Sequence, residues 1–238
     1  MHLIMSLISR NLQVVHDGIA TAARRAGRNS SDIQLLAVSK TFGPEAILEA
    51  AQAGQTAFGE NYLQEALDKM AAVRAQQPGL LLEWHFIGPI QSNKTRAIAE
   101  HFDWVHSVER EKIAQRLSDQ RPRHLPPLNV CLQINISGEA SKSGATLEQA
   151  QPLAHAIARM PQLKLRGLMA IPEPADDIEQ QRMPFRRMRL LFDQLRAQGL
   201  AIDTLSMGMS ADMDAAIVEG STMVRIGTAI FGKRDYAN

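Results

Sequence analysis

Eight short apolar runs, rich in β-branched or aromatic residues, punctuate this sequence and are separated by longer stretches with helical apolar spacing. The runs that read as strands are 33–39, 56–59, 84–88, 104–108, 129–135, 164–171, 202–207 and 223–227. Between them, 44–53, 62–76, 92–100, 109–120, 146–159, 179–198 and 212–219 read as helices, each opening near a Ser, Pro, Asp or Glu suited to a first turn. A further amphipathic helix over 7–26 precedes them all. Its apolar face is Leu7, Ile8, Leu12, Val15, Ile19, Ala22 and Ala23, and Gly27 with Asn29, Ser30 and Ser31 ends it.

Strand-then-helix repetition builds right-handed βαβ units around a parallel sheet. Eight units in about 200 residues match the smallest closed barrels. An open doubly wound sheet would usually show about five to seven strands and a glycine-rich first turn. The first turn here, Ser39-Lys40-Thr41-Phe42-Gly43, has no G-x-G-x-x-G. The predicted fold class is therefore α/β, a single-domain (β/α)8 TIM barrel over residues 1–238 with an extra N-terminal helix. The only proline-rich stretch, at Pro122, Pro126 and Pro127, reads as a loop before the fifth strand rather than as a linker.

Charge excludes some partners. With 26 basic and 25 acidic residues the net charge is +1, which leaves no global field to draw nucleic acid or an anionic membrane, and neither is expected as a partner. The apolar residues before Arg10 are too few to span a bilayer and lack a cleavage site. Cys131 is the sole cysteine, so an intrachain disulfide and a cysteine-rich metal site are both ruled out, and a reducing, cytoplasmic location is expected.

In a barrel of this kind chemistry collects where strands end. Lys40 follows the apolar run Leu35-Leu36-Ala37-Val38. Desolvation there would lower its pKa and suit it to Schiff-base chemistry. Position alone also allows a solvated lysine whose stem snorkels along the strand end, and on position that plainer reading leads. Ser206-Met207-Gly208-Met209-Ser210 and Arg225-Ile226-Gly227-Thr228 close the last two units with glycine amides, hydroxyls and a guanidinium. That is the side of a barrel that commonly binds phosphate. The alternative is that the glycines only turn the chain and Arg225 pairs with a core carboxylate.

Other constellations are weaker. Among the histidines, His85, His101, His106 and His155 show no metal-ligand spacing, and no metal is expected. Glu60 reads as a structural ion-pair partner rather than a base, and Arg182, Arg186, Arg187 and Arg189 read as a solvated helix face. The sequence has no G-x-S-x-G, Walker or kinase motif.

Specific strings then carry a family resemblance: Val38-Ser39-Lys40-Thr41, Phe58-Gly59-Glu60-Asn61-Tyr62, and the run from Trp84 through Gly88-Pro89-Ile90-Gln91-Ser92-Asn93 to Lys94. With them stand Gln133-Ile134-Asn135, Ser141-Lys142-Ser143-Gly144, Gly167-Leu168-Met169-Ala170 and the two closing strings above. Together they resemble, over about residues 33 to 236, the pyridoxal phosphate homeostasis protein family, whose barrel is similar to the N-terminal domain of alanine racemase.

The resemblance implies fold type III of the proteins that use pyridoxal 5′-phosphate (PLP), with the cofactor held as a Schiff base on Lys40. It implies that Ser210, Gly227 and Thr228 surround the phosphate and that Arg225 meets the pyridine nitrogen or the phosphate. Asn61 and Met169 are implied to lie near the ring. An activated lysine and a phosphate cradle are what a PLP site requires.

The same resemblance frames the choice between enzyme and carrier. A racemase needs a second base opposite the lysine, which related racemases take from a tyrosine of a second domain. This sequence ends at Asn238, just after the eighth unit, and holds only Tyr62 and Tyr236. The expectation is a non-catalytic, monomeric PLP carrier with no catalytic residues, one that sustains intracellular PLP homeostasis and transiently meets apo PLP-dependent enzymes. The alternatives are a PLP-dependent racemase or another PLP enzyme of unassigned substrate, and a barrel that binds a phosphorylated metabolite without covalent chemistry.

Overall fold

In a computed structural model, which describes residues 6–138 and 142–233, eight strands close into one barrel in chain order. The strands are β1 (Gln34–Val38), β2 (Ala57–Glu60), β3 (Glu83–Phe86), β4 (Trp104–Val108), β5 (Leu128–Gln133), β6 (Leu163–Met169), β7 (Thr204–Ser206) and β8 (Met223–Ile226). Every neighbouring pair is parallel, and β1 pairs with β8 to shut the cylinder. Of the residues singled out in the sequence, Ser141 and Tyr236 lie outside the described residues.

Between the strands stand α2 (Pro44–Gln52), α3 (Leu63–Gln76), α4 (Thr95–His101), α5 (Glu111–Gln120), α6 (Leu147–Ala158), α7 (Ile178–Ala197) and α8 (Met213–Val218). They fall where the periodicity places them. The largest shift is α4, predicted from 92, because Ser92–Lys94 forms a turn in which the Thr95 hydroxyl donates to the Ser92 carbonyl. A last short helix, α9 (Thr228–Phe231), was not predicted, since four residues carry no periodicity.

The N-terminal helix α1 (Leu7–Arg25) packs against α2, α8 and α9. Ser6 caps it by accepting the Ser9 amide, and Gly27, at φ +65°, lets the chain leave it. Burial of Leu12, Val15 and Ile19 on its inner face contributes roughly 1.5–3 kcal/mol each.

Alternation along the strands sorts side chains into two layers. Leu35, Ala37 and Phe58 join the large core beneath the helices. Leu36, Ala57, Trp104, Cys131, Met169 and Met223 form a separate cluster that fills the barrel interior. Among the described residues no helix is long and apolar enough to cross a membrane.

Candidate functional site

The site is built around the first strand end. Ser39, fully buried, donates its hydroxyl to Glu60 Oε1 at 2.6 Å. Lys69 Nζ, from α3, donates to the same Glu60 oxygen at 2.6 Å, to the Ser39 carbonyl at 2.9 Å and to Glu65 Oε1 at 3.1 Å. Glu65 in turn accepts the Thr41 amide at 2.6 Å.

Thr41 has φ 71°, the only positive value at a non-glycine residue among the described residues. A β-branched residue in that region stores roughly 1–3 kcal/mol of strain and persists only where its surroundings over-determine it. The residues on either side of Lys40 are thus pinned by α3, while Lys40 itself is half-buried at the barrel mouth. Glu60 is an ion-pair partner, as expected. Burial pushes its carboxyl above the ordinary range, with Lys69 and Ser39 pulling the other way.

At the mouth a cavity of about 320 Å³ brings together Lys40, Asn61, Ser210, Arg225, Gly227 and Thr228. That volume lies at the lower end of small-molecule sites, ~300–1,000 Å³. The ends of β1, β2, β7 and β8 therefore meet at this cavity. Met169 is not brought to the wall. It is fully buried in the interior cluster, and the next residue of the same parity, Ile171, lines the cavity instead. Val38, Phe42, Ile87 and Met209 supply the other apolar walls. Ile87 sits inside one of the strings quoted above, but nothing local marks it as a wall residue.

Polar features of the cavity suit an anionic aromatic ligand. Asn61 Oδ1 is buried without a partner, a deficit that a ligand donor or a water would relieve. The backbone N–H groups of Ser210 and Thr228 donate to no carbonyl among the described residues. Gly227 lies so close to β1 that a Cβ would sit 3.0 Å from the Val38 carbonyl oxygen.

Arg225 is 4% exposed and pairs directly with no carboxylate among the described residues. Its Nη1 donates to the Ser206 carbonyl at 2.6 Å and to Ser206 Oγ at 2.8 Å, and its Nη2 donates to the Ala170 carbonyl at 3.0 Å. Burial lowers its pKa to about 10, and nearby Asp212 opposes the shift. It remains a cation at neutral pH.

Elsewhere the structure disarms potentially reactive groups. Cys131 is buried and its thiol is pushed up to about 12 by desolvation, so it is inert. Arg182 and Arg186 both reach Glu219, Arg189 reaches Asp193, and Arg187 donates to the Ile136 carbonyl at 3.0 Å, so three of the four arginines of the basic run are ion-paired on the helix face. Among the charged groups that shape the site, the sequence did not single out Lys69 and Glu65. Their i,i+4 spacing was a visible sign, but such pairs are common on solvated helices.

Comparison with known proteins gives the family and the fold. The family described as "Alanine racemase, N-terminal domain" matches residues 11–235. The chain is 60% identical over 232 residues to a pyridoxal phosphate homeostasis protein of Pseudomonas aeruginosa, covering 98% of each chain. It is 58% identical over 233 residues to the protein of that name from Vibrio cholerae, covering 98% of this chain and 99% of the relative. Among solved structures, PipY of Synechococcus elongatus with PLP bound superposes with a TM-score of 0.81 at 33% identity, covering 94% of this chain and 100% of PipY.

Proposed function

The chain belongs to the pyridoxal phosphate homeostasis protein family, built on the alanine racemase N-terminal domain, and from that membership we propose that it binds PLP and serves intracellular PLP homeostasis. The observation that carries the reading is the convergence of Lys40, two hydroxyl-bearing loops and a buried guanidinium on one cavity.

The residues present fit the cofactor. PLP supplies an aldehyde that condenses with a primary amine, releasing one water. Lys40 is the amine at the mouth, held in place through Ser39 and Thr41. Ser210, Gly227 and Thr228 offer hydroxyls and close backbone approach to the phosphate. Asn61 has an unsatisfied acceptor to give. Arg225 presents a permanent positive charge at the cavity floor, a setting that disfavours protonation of a ring nitrogen beside it and so weakens electron withdrawal.

A carrier role rests on the same wall. Apart from Lys40, the side chains lining the cavity are apolar groups, hydroxyls, one amide and one guanidinium, none of which accepts a proton readily at neutral pH. Tyr62 is 52% exposed and stands outside the cavity lining. Racemisation requires a base on each face of the substrate carbon, and these residues provide one.

PLP added to the purified protein should give a visible absorption band, and borohydride should fix one cofactor on the peptide containing Lys40. A colourless wild-type protein would refute cofactor binding. Solvent deuterium appearing rapidly at Cα of any amino acid in a panel would replace the carrier with an enzyme.

A further inference from the structure

Inside the barrel, beneath the cavity, four buried polar side chains touch in series. Arg225 Nη1 donates to Ser206 Oγ at 2.8 Å, and Ser206 Oγ lies 2.8 Å from His106 Nδ1. His106 Nε2 lies 2.9 Å from His85 Nδ1, and His85 Nε2 lies 2.8 Å from Glu83 Oε1. His85, His106 and Ser206 are fully buried. Glu83 opens β3 at the far end of the barrel, where its side chain is 40% exposed.

With neutral imidazoles between them, the two ends set the direction of every bond. A guanidinium only donates and a carboxylate only accepts. Ser206 Oγ accepts from Arg225 and, with both imidazoles neutral, gives its hydrogen to His106 Nδ1, because a neutral His85 that donates Nε2–H to Glu83 can only accept at Nδ1, which leaves His106 Nδ1 as an acceptor. His106 must then carry its proton on Nε2 and donate to His85 Nδ1, and His85 must carry its proton on Nε2 and donate to Glu83. Both imidazoles are neutral in this arrangement. Desolvation agrees, holding the pKa of His106 well below the ordinary value and lowering that of His85, although Glu83 and Asp103 pull His85 the other way. The other charges at the two ends are Asp212 beside Arg225 and Arg121 beside Asp103.

We infer that this one-way chain, Arg225 to Ser206 to His106 to His85 to Glu83, holds the guanidinium at the cavity floor and makes Ser206, both histidines and Glu83 positioning residues for the bound ligand. The inference rests on the PLP reading above. With three of its five N–H groups held by Ser206 and Ala170, Arg225 turns only its remaining two toward a ligand. Its orientation is thereby set from the opposite end of the barrel.

Two measurements test the chain separately from the cofactor reading. In the ligand-free protein, imidazole 15N shifts should show His85 and His106 neutral at pH 7 with the proton on Nε2. A cationic ring or an Nδ1 proton on either would overturn the chain. In PLP titrations followed by absorption, Ser206→Ala should weaken PLP binding about tenfold and move the visible band. Glu83→Leu, at a half-exposed edge where folding is safe, should change both in the same direction by about threefold, and Glu83→Gln, which keeps an acceptor, should behave as wild type. Wild-type affinity and band position in both Ser206→Ala and Glu83→Leu would refute the positioning role. Failure of the wild type to take up PLP would instead refute the cofactor reading, and this role with it. Should Ser206→Ala not fold, the Glu83 pair decides alone.

Discussion

Lys69 Nζ lies 2.6 Å from Glu60 Oε1 with both side chains buried, and the same ammonium holds the Ser39 carbonyl, one residue before Lys40. Removing one partner of a buried pair leaves an uncompensated charge, at a cost of about 3–5 kcal/mol. Lys69→Met should therefore lower stability by that amount and slow PLP uptake, since it also frees the loop around Lys40. Adding Glu60→Gln should recover part of the stability but not the rate. Urea midpoints and stopped-flow absorption check the two effects, and full recovery of both would remove the loop-anchoring role.

Gly88 has a structural duty toward the cavity. A Cβ at this position would collide with the Asn61 carbonyl oxygen, against backbone that cannot swing aside. Gly88→Ala should displace Asn61, destabilise the fold by more than about 2 kcal/mol and weaken PLP binding. Gly79 is exposed, and a methyl group there would have nothing within 4 Å, which makes it the control. Gly79→Ala should change stability by no more than about 0.5 kcal/mol.

Ser210→Ala and Thr228→Val remove hydroxyls at the proposed phosphate end. Each should reduce PLP affinity by about tenfold, the loss of one charge-assisted hydrogen bond, with thermal stability unchanged. Affinity for pyridoxal, which lacks the phosphate, should not move. Equal losses for both ligands would place these residues elsewhere in the site.

Acid should destabilise the barrel through the interior histidines. His106 folds with its pKa well below 6.5, so below that pH the unfolded chain binds a proton that the native state refuses. The resulting stability is complete above pH 6.5 and falls at about 1.4 kcal/mol per pH unit beneath it. Glu83, held at about 2 chiefly by its hydrogen bond from His85, adds a loss of the same sign between pH 4.5 and 2. His106→Gln should be less stable at neutral pH yet show a shallower decline, so that the two denaturation curves converge on acidification. Parallel curves would show that His106 titrates alike in both states.

Much of the architecture was legible in the chain because it depends on local periodicity. Alternating apolar runs and helical stretches specify strand and helix whatever their neighbours do, and eight of them in about 200 residues leave the closed barrel as the economical arrangement. Lys40, Ser210 and Thr228 could be proposed for the same reason, since a barrel gathers its strand ends at one mouth.

Contacts between distant residues were not legible. His85 and His106 were individually unremarkable, because their partners lie 21 and 100 residues away and become neighbours only when β3, β4 and β7 close the cylinder. Lys69 looked like an ordinary helix-face lysine until α3 packed it onto Glu60. Met169 and Ile171 share a face of the same segment, and only the depth of the cavity floor separates interior filling from cavity wall. The sequence by itself determined the elements, their order and the residue that would stand at the first strand end, because those follow from short-range spacing. The tertiary structure decided which charges are buried, which polar groups meet and which residue lines the cavity, because those depend on desolvation and on groups that meet only across the closed barrel.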